Sequence, residues 1–131
     1  MFFTIDPTNG LPIYEQVVRQ LKFAVAAGVL KPAELVPSVR EVARELAINP
    51  NTVARAYRQL QTDQVLESVR GTGLQVAAGA TQRCRRERLA LIHERLRQVL
   101  LEAKQSQLAG HELRTLVEAE LSRLEQEEPK K

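Results

Sequence analysis

Along most of the chain, apolar residues return every three or four positions, the period of one helix face; in one short stretch they do not. Tyr14, Val17, Val18, Leu21, Ala24 and Val25 define a first helix over residues 12–27, with Pro12 suited to its first turn and Gly28 to its exit. The ten residues before it read as a strand or arm ending in a turn at Pro7-Thr8-Asn9-Gly10. Leu30 to Pro37 holds two prolines and is expected to be extended. Ser38-Val39-Arg40-Glu41 has the spacing of a capping box and opens a short second helix ending near Ala47, with Val39, Val42, Ala43 and Leu46 as its stripe. Asn49 and Pro50 suit the cap and first position of a third helix reaching about Thr62, with Val53, Ala56, Tyr57 and Leu60 inward. Then the period changes. Val65–Val69 and Leu74–Ala77 read as two strands around the tight turn Arg70-Gly71-Thr72-Gly73. After a linker at Ala78-Gly79-Ala80 the pattern is helical again from Thr81. Leu89, Ile92, Leu96, Val99 and Ala103 form one stripe, Gly110 breaks it, and Leu113, Leu116, Val117, Leu121 and Leu124 form another. The tail from Glu127 to Lys131 is expected to fray.

This order predicts a mainly α fold: a winged helix-turn-helix domain with a small β-hairpin wing over residues 1–79, then a short two-helix dimerisation segment over 80–131. The few residues between the second and third helices force a steep crossing. The third helix then projects its N-terminal half outward, where a DNA major groove is wide enough to admit it.

Composition narrows the classes. With 131 residues the chain has room for one domain and an appendage, and 44% hydrophobic residues can build a core. No apolar run is long enough to span a membrane, and Met1 to Pro7 lacks the blocks of a secretory signal, so a cytoplasmic protein without a membrane partner is expected. The single Cys84 fits a reducing compartment. Among Arg83, Arg85 and Arg86 it is either activated by positive charge or simply packed. Net charge is only +3, with 8 basic and 7 acidic residues before position 80 and 11 and 9 after it. The placement of arginines therefore matters more than their number.

Asn49, Asn51, Thr52 and Arg55 gather on or near one outward face at the start of the third helix, and Arg58 lies about a turn further on. Asparagine can pair with adenine and arginine with guanine; threonine suits a thymine methyl or a phosphate. Ser38 and Arg40 stand at the start of the second helix, where a helix N-terminus favours phosphate. Gly71 and Gly73 let a backbone approach a phosphate or the minor groove, beside Thr72 and with Arg70 adding charge. No catalytic constellation is present, so no enzyme is expected. His93 and His111 have no partners at metal-ligand spacing, and neither metal nor cofactor is expected.

The sequence resembles the GntR family of bacterial transcription regulators. The resemblance runs from Pro12-Ile13-Tyr14-Glu15-Gln16 through Gly28-Val29-Leu30-Lys31-Pro32, Leu35 to Ala43 and Ile48 to Tyr57, to Arg70-Gly71-Thr72-Gly73. The Asn-Pro-Asn-Thr-Val run and the short helical tail are similar to its YtrA-like subfamily. The resemblance implies a homodimer on a palindromic operator, usually as a repressor, with Arg40, Asn49 to Thr52 and the wing glycines touching double-stranded DNA. Two positions depart from the family pattern: Ala33 and Gln64 stand where glycine is usual, and Gln64 would then sit in a left-handed turn.

About 50 residues follow the wing, too few to enclose an effector pocket without a partner chain. Burying Leu89, Ile92, Leu96, Val99, Leu113, Leu116, Val117 and Leu121 against a second copy answers the cost of their exposure, since each buried Leu or Ile is worth about 1.5–3 kcal/mol. No small-molecule effector is legible. Arg83, Arg85, Arg86 and Arg88 form a basic knot that is either a phosphate contact or a solvated helix start. The rival classes are a protein-interaction adaptor built on a winged fold and an RNA-binding winged helix.

Overall fold

A computed structural model describes residues 3–127; Met1, Phe2 and the tail beyond Glu127, expected to fray, lie outside the described residues. The elements run α1 (Ile13–Ala26), α2 (Val39–Leu46), α3 (Pro50–Thr62), β1 (Leu66–Val69), β2 (Gly73–Val76), α4 (Ala80–Gln105) and α5 (Gly110–Glu127). The chain divides into two compact units, one ending at Ala90 and one beginning at Leu91.

In the first unit the expected stripes become the core. Val17, Leu21 and Val25 of α1, Val42 of α2, Val53, Ala56, Tyr57 and Leu60 of α3, and Leu66 and Val76 of the hairpin are all buried. Pro12 caps α1 from outside, and Gly28 leaves it at φ +80°. Ser38 and Glu41 form both halves of the capping box. Asn49 caps α3 with Pro50 as its first residue, and α3 ends at Thr62 as the sequence predicts. The strands lie one residue from their expected ends, because Val65 donates to Leu60 at the end of α3 and Gly73 is drawn into the ladder opposite Val69.

Two features tie loops to this core. The linker before α2 is not extended throughout as expected: Pro32 and Ala33 form a turn, closed by Glu34 N–H donating to Lys31 at 3.0 Å with Ala33 at φ +70°. The segment also pairs with β2: Ala33 N–H donates to Val76, Val76 N–H to Glu34 and Val36 N–H to Leu74, at 2.8, 2.9 and 3.0 Å. The N-terminal segment is an arm rather than a strand. Buried Gln16 supplies the pairing a neighbouring strand would give, accepting from Asp6 N–H at 2.9 Å and donating to the Asp6 and Leu11 carbonyls at 2.8 and 3.0 Å. Gln20 does the same for Thr4.

The segment expected as a linker at 78–80 is shorter, because α4 starts at Ala80. Ala80 and Cys84 both lie in the core of the first unit. Cys84 is therefore a packed thiol: burial pushes it above the ordinary cysteine range, and the nearby Lys22 and Arg83 charges do not reverse that.

The second unit holds the rest of α4, a loop at 106–109 and α5. Gln107 turns the loop at φ +64°, and Leu108 N–H closes it onto Ala103 at 3.0 Å. No described residue of this unit is buried. Ile92, Leu96, Val99, Leu116 and Leu121 are each about half exposed, while Leu113 is intermediate and Val117 is 37% exposed. No helix among the described residues is long and apolar enough to cross a membrane.

Candidate nucleic-acid interface

Three residues, Ala47 to Asn49, separate α2 from α3. Ala47 takes the left-handed conformation at φ +55°, which ends α2 abruptly, and Ile48 N–H bonds back to Ala43 at 3.0 Å. Asn49 Oδ1 then accepts the Asn51 N–H at 2.8 Å and restarts the chain as α3. The side-chain oxygen of Asn49 is thus committed to the helix cap. Asn51, Arg55 and Arg58 are exposed on the face opposite Val53, Tyr57 and Leu60, and Thr52 is half-buried beside them.

Arg55 is not a loose surface cation. Its guanidinium carbon lies 3.7 Å from the centroid of the half-buried Tyr14 ring, a stacked cation–π contact that brings α1 into the site. Sequence reasoning placed Tyr14 in the core and did not connect it to Arg55, because the two are 41 positions apart.

At the start of α2, Ser38 Oγ accepts the Glu41 N–H at 3.1 Å and a Glu41 carboxylate oxygen accepts the Ser38 N–H at 3.3 Å. Arg40, between them, is exposed. Tyr57 Oη donates to the Pro37 carbonyl at 2.6 Å, fixing the entry to α2 against α3. Burial first, and the Glu41 charge second, push this hydroxyl well above the tyrosine range, so it remains a donor.

The wing tip is closed by Thr72 N–H donating to Val69 at 3.0 Å, with Gly71 at φ +77° in the third turn position. That is the place where a type II turn requires a positive φ. Arg70, Gly71, Thr72 and Gly73 are all exposed. An open groove of about 530 Å³ runs between the wing and α2, lined by Ser38, Val39, Tyr57, Thr72 and Gly73. The first unit therefore holds the start of α2, the start of α3 and the wing tip in fixed relation.

The basic knot divides. Arg85 Nε donates to the carbonyl of Ala26, the last residue of α1, at 3.0 Å, and Arg83 donates to the carbonyls of Gln64 and Ala78. Arg86 and Arg88 remain exposed. Among the described residues no three of His, Cys, Asp and Glu gather to hold a metal ion.

Residues 13–76 match the family model described as bacterial regulatory proteins, gntR family. The chain is 38% identical over 114 residues to the HTH-type transcriptional repressor YtrA of Bacillus subtilis (strain 168), covering 87% of this chain and 85% of that protein. Among solved structures it is similar to a transcriptional antiterminator from Listeria monocytogenes EGD-e, at 33% identity and TM-score 0.66 over 91% of this chain and 89% of that one. It is also similar to AraR(DBD) solved in complex with operator ORX1, at 26% identity and TM-score 0.51 over 56% of this chain and 92% of that one.

Proposed function

The chain belongs to the gntR family of bacterial regulatory proteins, and on that premise we propose that it represses transcription by holding a palindromic operator as a homodimer. The family is one of DNA-binding regulators and not of enzymes. The observation that carries the reading is the polar face at the start of α3, where Asn51 and Arg55 are exposed and Thr52 is half-buried, with Arg40 and the wing tip also exposed in the same unit. That face suits the major groove. Asn51 and Arg55 offer the side chains that read adenine and guanine edges, while Ser38, Arg40, Asn49 and Arg58 suit the phosphates that set the register. The wing, Arg70 to Gly73, suits the minor groove or the adjoining backbone.

In this reading residues 1–79 hold DNA and residues 80–131 pair two copies. Leu89, Ile92, Leu96, Val99, Leu113, Leu116, Val117 and Leu121 form the seam, which suits their exposure in the single chain. A two-fold axis would set two α3 helices about 34 Å apart, one turn of DNA. The YtrA relative is named a repressor and the AraR domain was solved on an operator, which supports the repressor and operator-binding parts of the proposal.

Fluorescence anisotropy on the duplex DNA upstream of the chain's own gene is the test. Arg55→Ala is expected to cost roughly 1–3 kcal/mol and to relax discrimination at one base pair. Equal losses on every sequence would reduce Arg55 to a phosphate contact, and no binding by the full chain would end the regulator reading.

A further inference from the structure

The polar side chains of α3 are held in different ways. Asn49 commits its oxygen to the helix cap, and Asn51 and Arg58 are exposed. Arg55, also exposed, lies over the ring of Tyr14 with its guanidinium carbon 3.7 Å from the ring centroid. That distance fixes orientation as well as contact. With C–N bonds of about 1.33 Å, a guanidinium standing edge-on would bring nitrogen to within about 2.4–3.0 Å of the ring, inside the ~3.5 Å at which such atoms touch. The two planes therefore lie close to parallel. One face of the cation is covered, and its N–H donors, which lie in the plane, stay open at the rim.

The ring is itself held. Tyr14 is the second residue of α1, just past Pro12 at the cap, and it packs against the core of the first unit. Its hydroxyl donates to Glu15 Oε1 at 3.4 Å, so the ring and not the hydroxyl meets Arg55. Among the described residues no carboxylate pairs with Arg55. Arg83 and Arg85, by contrast, are engaged by backbone carbonyls. Direction matters to one kind of acceptor above the other. Guanine offers O6 and N7 in the plane of the base, so an arginine reads both only when its own plane is aligned with them. A phosphate presents oxygens on several sides and accepts from an arginine that turns freely. An arginine with no ring beneath it must also give up rotamer freedom at the encounter.

We propose that Tyr14 is a specificity-determining positioning residue: its ring holds the Arg55 guanidinium in the plane that makes two bonds to one guanine. α1 then sets sequence choice at that base pair through Arg55, without contacting the base itself. The proposal rests on the regulator reading above and adds to it what aims the reading side chain. Both residues belong to the first unit.

The test uses the full chain and a duplex selected with it from a randomised pool, together with duplexes altered one base pair at a time. Arg55→Ala identifies the pair that Arg55 reads, where the wild type should prefer guanine by about tenfold or more. Tyr14→Leu should lose about three- to tenfold of that preference. Its salt dependence should stay unchanged, because no charge is removed. Tyr14→Phe, which keeps the ring, should stay within about twofold of wild type. On the Arg55→Ala background, Tyr14→Leu should add nothing at that pair. Full preference in Tyr14→Leu would overturn the proposal, as would equal losses on every duplex or a Tyr14→Phe chain that behaves like Tyr14→Leu. Proton NMR supplies a measurement on the wild type itself, should Tyr14→Leu not fold. The Arg55 δ-protons should be shifted upfield of those of Arg58, in the free chain and on the preferred duplex, and their ordinary position in either would overturn the proposal. A wild type that binds none of the duplexes would instead end the regulator reading and this inference with it.

Discussion

The two units are built from similar helical patterns and end in opposite states. In the first, the stripes of α1, α2 and α3 close on one another until Val17, Leu21, Val42, Val53 and Leu60 reach zero exposure. In the second, the less sharply sided stripes on α4 and α5 leave Ile92, Leu96, Val99, Leu116 and Leu121 about half exposed. Part of the difference lies in the number of packed elements, since α1 and α2 both pack on α3 and close a volume, whereas two successive helices each leave a face uncovered. A sequence period thus says that a face wants burial and leaves open which chain supplies it.

The largest test of this contrast strikes the closed unit. Leu21→Ala should cost about 2–5 kcal/mol in urea unfolding, because the site is fully buried and cannot relax without a cavity. In the second unit the joint change Leu96→Ala and Leu121→Ala should barely alter the unfolding of the first unit. If the two copies pair as proposed, it should raise their dissociation constant about a hundredfold or more in sedimentation, since each leucine counts once per protomer. A weakened first unit with an unchanged association state would erase the distinction.

Alkali should also separate the two. Cys84 and Lys22, both in the first unit, keep their protons in the folded chain beyond the pH at which an unfolded chain gives them up. Their contribution is therefore complete below the unfolded values and is lost as pH climbs through about 8.5 for the thiol and about 10.4 for the ammonium toward the folded values. Thermal melts of Cys84→Ala should lack the first part of that decline. Ser38→Ala should cost about 1 kcal/mol through the lost α2 cap. Smallest of all, Ala33→Gly and Gln64→Gly should each stabilise by a few tenths to ~1 kcal/mol. Both residues hold left-handed backbone at φ +70° and +61°, and relief of that strain is partly offset by the chain entropy of glycine. A loss at either position in urea titration would mean that the side chain makes a contact of greater worth.

What was legible in the sequence was local. The Ser38–Glu41 box, the Asn49-Pro50 start of α3 and the Gly71 turn are each decided by residues within a few positions of one another, and their elements lie within a residue of expectation. The exposed face of α3 followed from the same periodicity. What was hidden was long-range and polar. Lys22 reads as an interruption of the α1 stripe until Asp63 and Glu87, 41 and 65 positions away, are brought to it. Gln16 gives no sign that it will stand in for a strand. Arg83 and Arg85 read as part of a cationic patch, yet they close the ends of helices, because a guanidinium beside unpaired carbonyls finds partners there. The stack of Arg55 on Tyr14 belongs with these: composition supplies both partners, and only the crossing of α1 over α3 introduces them.

The linker spliced onto β2 carries a thermodynamic consequence. Since Ala33, Glu34 and Val36 share backbone bonds with Val76 and Leu74, the strap leading into α2 is fastened along β2 by an isolated bridge beside the two-stranded hairpin. A duplex meeting it finds a grip preorganised at the time of folding, with little ordering left for the encounter itself. Calorimetry on such rigid docking should show a heat-capacity change accounted for by the surface the two partners cover, without the excess that accompanies coupled folding.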